Sequence, residues 1–139
     1  CGKYINMAQS SACSYNIIMA TEIIGLSHAE REMVANVVRF NSSLFMSYEE
    51  LAAGSLLDRE EYLIIAKLTA ILRVANALDR SHKQKIKDIK VSMKGGHTMQ
   101  ILVDTAEDLT LEQALFREKA EFFEEVYSIR PVLKAKKLL

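Results

Sequence analysis

Apolar residues crowd most densely along the run EYLIIAKLTAILRVANALDR (61–80). Leu63, Ile64, Ile65, Ala66, Leu68, Ala70, Ile71, Leu72, Val74, Ala75, Ala77 and Leu78 leave only Lys67, Thr69, Arg73 and Asn76 as polar interruptions. At about 3.6 residues per turn these groups cover most of a helix circumference, which predicts a central helix buried on nearly all sides. A membrane span is excluded, because Lys67 and Arg73 sit mid-run and the uninterrupted apolar stretch falls far short of about 20 residues. Asp58 and Glu61 form a D-x-x-E capping box at its start, and Arg80, His82 and Lys83 suit the negative end of its dipole.

Helical spacing also precedes this run. Tyr15, Ile18, Met19, Ile23 and Ile24 predict an amphipathic helix over Ser14–Ile24, closed by Gly25. Cys1–Met7 reads as the tail of a helix, and Ala8–Cys13 as a loop or helix start. Ser27 and Glu30 form an S-x-x-E box ahead of a helix with Met33, Val34, Val37, Val38 and Phe40 on its apolar side. Arg31, Glu32, Asn36 and Arg39 are expected on its wetter side. Asn41–Leu57 is a connection with a short helix at Tyr48–Ala53.

After the polar boundary at Ser81–Lys85 the period changes. Ile86, Ile89 and Val91 lead into Lys94-Gly95-Gly96-His97. Met99, Ile101 and Val103 then alternate with Gln100, Leu102 and Asp104, which predicts a β-hairpin. Thr110 and Gln113 form a T-x-x-Q box for a helix with Leu111, Ala114, Leu115, Lys119, Phe122, Phe123, Val126 and Tyr127 as its core stripe. Pro131 stops that helix, and Pro131–Lys136 reads as a third strand. The fold class is mostly α (α+β), a helical bundle around a central buried helix over residues 1–83, followed by a small ββαβ unit over 84–139 packed on it.

Length and composition add bounds. The 139 residues have zero formal net charge, with 18 basic and 18 acidic side chains. No global field favours nucleic acid, so any polyanion site must come from local clustering. Cys1 and Cys13 are expected as reduced thiols in a cytoplasmic protein, and two cysteines cannot hold zinc alone. No signal peptide or transmembrane segment is recognisable. The chain opens on Cys rather than Met and reads as a piece of a longer protein.

Candidate chemistry is sparse. The three histidines, His28, His82 and His97, are scattered, and an Asp79/His82 pair is too few ligands for a metal site. No G-x-S-x-G elbow, G-x-G-x-x-G or P-loop occurs. The informative feature is RSHKQKIKDIKVSMK (80–94), in which Arg80, Lys83, Lys85, Lys87, Lys90 and Lys94 face a single Asp88. Lys85 and Lys87 are expected on one face of a strand opposite Ile86, with Lys134, Lys136 and Lys137 beside them if the last strand joins the sheet. A lysine row without interleaved aromatics suits a phosphate chain better than stacked bases. On the residues alone the commoner meaning of such a row is an edge strand kept soluble by charge. Arg39 and Arg73, each on an otherwise apolar helix, are a second candidate phosphate contact.

The segments CGKYIN (1–6), SYNII (14–18), GLSHAEREMVANVVRFN (25–41) and AILRVANALDRS (70–81) resemble the C-terminal half of the Ppx/GppA phosphatases, the exopolyphosphatases and guanosine pentaphosphate phosphohydrolases. FREKAEFFEEVYSIRPVLKAK (116–136) is similar in kind. The resemblance implies an HD-like helical domain followed by a small α/β segment. It implies that catalysis on acid-anhydride phosphate bonds, with a divalent metal such as Mg, belongs to an N-terminal actin-like half, so this chain carries no catalytic residue or cofactor of its own. It also implies that this part holds polyphosphate and forms a homodimer.

Three departures bear on a metal site. Ser11-Ala12-Cys13-Ser14 stands where relatives often carry His-x-His-Ser, and Arg39-Phe40-Asn41 where they carry Arg-Tyr-His. Ala75-Asn76 replaces the Ala-Asp of metal-dependent HD enzymes, and asparagine lacks the charge to hold a divalent cation. A degenerate HD metal site is therefore expected. The alternatives are a metal-dependent HD phosphohydrolase, or a purely structural dimerisation module using exposed Phe45, Met46 and Tyr48.

Overall fold

The computed structural model describes residues 9–137, with all side chains except that of Lys137. The helix tail expected over Cys1–Met7 lies outside the described residues. Two compact units divide the chain, Cys1–Thr69 and Ala70–Leu139. The protein is mostly helical, α+β in class, with five helices and one three-stranded sheet among the described residues.

In the first unit, α1 (Ser10–Ala20) begins and ends earlier than its apolar pattern suggested. Thr21 turns extended and its hydroxyl donates to the Ile17 carbonyl at 2.6 Å, which closes the helix before Ile23 and Ile24. Gly25, at φ +92°, instead serves the turn ahead of α2 (His28–Phe40). The Ser27–Glu30 capping box forms as expected, at 2.7 and 3.2 Å.

On α2 the expected Phe40 is buried and Met33 and Val37 pack on the core, but the buried stripe also takes residues expected on the wetter side. Glu32, Ala35, Asn36 and Phe40 face inward, whereas Val34 is exposed. α1 packs against α2, and Asn36 directs its amide N–H to the Glu32 carbonyl at 3.0 Å. That bond satisfies the amide N–H of the buried side chain, while its carbonyl oxygen is buried without a hydrogen-bond partner among the described residues.

A second capping box, Ser47 with Glu50, starts α3 (Tyr48–Ala52). A third, Asp58 with Glu61, opens α4 (Arg59–Leu78) at 2.8 and 2.9 Å. Phe40, Leu51, Leu57 and Ile65 form the core of this unit, with Phe45, Met46 and Tyr62 packed on it. The Tyr62 hydroxyl donates to the Met46 carbonyl at 2.8 Å. Phe45 and Met46 are therefore half-buried against this core, Tyr48 is half-buried with its ring 5.6 Å from that of Tyr62, and the three are not an exposed patch.

The expectation that α4 is buried on nearly all sides is not met. Ile65, Ala66, Thr69, Ala70, Val74 and Ala77 form one buried stripe. Leu63, Ile64, Leu68 and Ile71 are 45–54% exposed. Apolar coverage of a helix measures what it can bury, and the described residues cover only one side.

In the second unit, β1 (Asp88–Lys94) and β2 (Thr98–Thr105) form the antiparallel hairpin, turning at Gly95 and Gly96 with φ of +62° and +76°. α5 (Thr110–Tyr127) then leads to β3 (Arg130–Lys137), which pairs parallel to β2, giving the order β1-β2-β3. The ββαβ order is as expected. The T-x-x-Q box is not: Thr110 is already inside the helix, and its N–H and hydroxyl both bond the Asp108 carboxylate, at 3.1 and 2.6 Å. α5 ends at Ser128, in the left-handed region at φ +55°, three residues before Pro131. Pro131 sits buried in β3, an edge strand, where a missing N–H is tolerated.

The core of this unit joins Ala70, Val74 and Ala77 of α4 with Ile101 and Val103 of β2, and with Leu109 and the α5 residues Phe116, Ala120 and Phe123. Leu111 and Ala114, expected in the α5 core stripe, are exposed. Phe123 is buried, and Leu115, Phe122, Val126 and Tyr127 pack on the core as expected, while Glu112, Phe116 and Ala120 are buried positions the pattern did not single out.

Candidate phosphate-binding site

The basic run leaves α4 through a link that is hydrogen-bonded at nearly every step. The Asp79 carboxylate accepts from the Gln84 N–H at 3.0 Å, and the Asp79 carbonyl from the His82 N–H at 3.0 Å. His82 and Gln84 are held at φ +56° and +49°, a conformation that non-glycine residues adopt at a cost. Asp79 is thus occupied in closing this turn and is not paired with His82 as a ligand set.

Below the turn lies Glu112, in the first turn of α5 and fully buried. Its carboxylate accepts from the Ser81 hydroxyl at 2.6 Å, the Ser81 N–H at 3.3 Å and the Lys85 ammonium at 3.2 Å. Lys85 also donates to the Asp108 carbonyl at 2.7 Å, and its own carbonyl accepts from the Thr105 hydroxyl at 2.8 Å. Burial alone would raise the Glu112 pKa, but these hydrogen bonds more than offset it, and the carboxyl lies below its ordinary value. Lys85 is therefore spent on holding the link to α5, with its side chain only 16% exposed.

The other predicted cations divide into groups. Arg80, Lys83 and Lys87 are exposed on the link, and Lys90 is exposed on β1. Lys85 and Lys87 do not lie within the strand, which starts at Asp88, although the Lys87 N–H already bonds the Asp104 carbonyl at 3.0 Å. Ile86 packs on the core between them. Beside the link lies an open cavity of about 830 Å³, lined by Leu78, Asp79, Gln84, Ile86, Lys87 and Ile89 among others.

Arg73 is half-buried, with its guanidinium 4.7 Å from the Phe122 ring centre. Burial lowers its pKa and Glu118 opposes that shift. An arginine stays protonated under such perturbation, so this is a cation seated on an aromatic face. Arg39 belongs to the first unit, 5.7 Å from the Tyr15 ring centre and 5.6 Å from that of Phe40. Burial, with Glu32 nearby, raises the Tyr15 pKa, and Arg39 works against the rise.

Among the described residues no three His, Cys, Asp or Glu side chains are grouped to hold a metal ion. No helix among them is long and apolar enough to cross a membrane. Sequence reasoning missed the part played by Glu112. The available signal was an acidic residue in a first helical turn, and that pattern ordinarily marks a solvated, dipole-facing carboxylate.

Comparison with known families matches residues 1–121 to Ppx/GppA phosphatase, domain III. The match covers most of the chain, and the protein belongs to the Ppx/GppA phosphatase family as its third domain. No curated protein matches it.

Proposed function

We propose that this chain is a non-catalytic accessory domain of an exopolyphosphatase-like phosphatase, holding the polyphosphate chain and supporting dimerisation. Hydrolysis, and the divalent metal it requires, then belong to an N-terminal actin-like half of the same cytoplasmic protein. The observation that carries this reading is the exit of α4. There Arg80, Lys83 and Lys87 stand exposed on a link that Asp79 and Glu112 hold in place. Cations on an ordered backbone lose less entropy on meeting an anion than cations on a free loop. Lys90 extends the row onto β1, Lys85 positions it, and Arg73 is a secondary contact; Arg39, in the first unit, is a separate candidate contact.

The scaffold is read as an HD domain that has lost its metal. Asn76 stands where a ligating aspartate is expected. The exposed apolar side of α4 supports the dimerisation role, since Leu63, Ile64, Leu68 and Ile71 leave apolar area that a second copy would cover.

Calorimetric titration of the chain with long-chain polyphosphate across a salt series, with orthophosphate as control, tests the reading. Micromolar binding that weakens with salt is expected, the slope counting the cations engaged. A folded chain that binds no polyphosphate rejects it.

A further inference from the structure

The strand register brings together residues that are far apart in sequence. On β2, Met99, Ile101, Val103 and Thr105 share the face that packs under α5. The opposite face is set by the pairs Lys90↔Leu102↔Lys134, Ser92↔Gln100↔Val132 and Asp88↔Asp104↔Lys136, with Lys94↔Thr98↔Arg130 at the hairpin end. This open face carries Lys90 and Lys94 on one outer strand and Lys134 and Lys136 on the other, all exposed. None of these four makes an ion pair among the described residues, whereas Arg130 lies 3.8 Å from Glu124. Of the unit's acidic side chains, Asp88 and Asp104 share this face at one end, while Glu118, Glu121, Glu124 and Glu125 are exposed along α5.

Basic side chains thus outnumber acidic ones on this face, in a chain whose formal net charge is zero. We propose that the open face of the sheet is a second polyanion-binding surface, built to take a linear phosphate polymer lying along β2 between the two lysine rows. The proposal rests on the reading of the domain as a polyphosphate holder and assigns that role a surface beyond the α4 exit.

The geometry favours a polymer over a small anion. Two strand spacings place the rows about 10 Å apart, and Lys90 and Lys94 lie about 14 Å apart along β1. A single phosphate reaches one ammonium, whereas a chain along β2 meets all four. Between the rows β2 offers Thr98, Gln100 and Leu102, which are neutral and only half-buried. The face has no aromatic side chain on which bases would stack, so it lacks the usual platform for single-stranded nucleic acid. Asp88 and Asp104 lie at one end of the face and make that end the less favourable one.

The test titrates long-chain polyphosphate, tripolyphosphate and orthophosphate into three forms of the whole chain. These are the native chain, the variant Lys90→Ala/Lys94→Ala/Lys134→Ala/Lys136→Ala, and the variant Arg80→Ala/Lys83→Ala/Lys87→Ala. Affinity is expected to rise with polymer length. The sheet variant should bind the polymer at least about tenfold more weakly, with a salt slope reduced by about three to four.

Native affinity and slope in the sheet variant would overturn the proposal and leave the domain's role standing. No binding by the native chain would overturn that role as well. Asp104→Asn decides the matter if the quadruple variant does not fold: it should bind polyphosphate more tightly, and unchanged or weaker binding counts against the surface. Tighter binding of duplex DNA than of polyphosphate at equal phosphate concentration would replace the phosphate polymer with nucleic acid.

Discussion

Glu112 is the residue on which the second unit's local order most depends. Its carboxylate takes three hydrogen bonds from Ser81 and Lys85 while fully buried. Removing the acceptor strands a hydroxyl and an ammonium, so Glu112→Ala is expected to cost about 3 kcal/mol in urea unfolding. Acid should act through the same group. The folded pKa lies below the ordinary carboxyl value, so its contribution is complete above that value and disappears as pH falls through the folded pKa. Asp108, held low first by the Thr110 hydroxyl, and Glu30, held low first by the Ser27 N–H, act in the same direction. Urea midpoints taken from pH 7 down to pH 3 should fall steeply in the native chain and less steeply in Glu112→Gln. Parallel curves would show that the carboxylate is not the titrating group. None of this was legible in the sequence. A glutamate two residues into a helix looks solvated, and only the fold brings Lys85, 27 positions earlier, to its oxygen.

At the scale of elements, what local chemistry dictates was legible and what packing dictates was not. The boxes at Ser27 and Asp58 form because every donor and acceptor they need lies within four residues. The glycine turn forms because Gly95 and Gly96 adopt positive φ without penalty. No atom lies within 4 Å of a Cβ placed on Gly96, so Gly96→Ala should cost only the backbone strain, about 1 kcal/mol in thermal or urea unfolding. A much larger loss would mean that packing also depends on this position. The buried sides of α2 and α5 were legible only in part, because an apolar period marks neither buried polar or small residues such as Glu32, Asn36 and Glu112 nor which edge of the apolar side meets a neighbour. On α5, Phe116 and Ala120 are buried and Leu111 is not. Phe116→Ala should therefore cost about 3–5 kcal/mol and Leu111→Ala well under 1 kcal/mol, a contrast the sequence pattern does not predict.

For the whole molecule the two proposed roles differ in physical origin, and that makes them separable. Polyphosphate binding would rest on lysine and arginine charges, with affinity falling as a power of salt concentration. Dimerisation would rest on the exposed side of α4, where Leu63, Leu68 and Ile71 are each about half exposed. Burial of apolar area is little affected by moderate sodium chloride, and a chain of zero formal net charge has no net repulsion for salt to screen. Sedimentation velocity between 50 and 500 mM salt should then show an unchanged dimer, while polyphosphate affinity drops by orders of magnitude over the same range. Leu63→Gln/Leu68→Gln/Ile71→Gln should give a folded monomer that loses no more than about 1 kcal/mol of stability per substitution, because about half of each side chain is already in water without a partner. If this variant stays dimeric, the α4 side is not the interface. If it unfolds, these side chains support the fold itself. A dimer that dissociates as salt rises would assign the contact to charged residues and remove α4 from it.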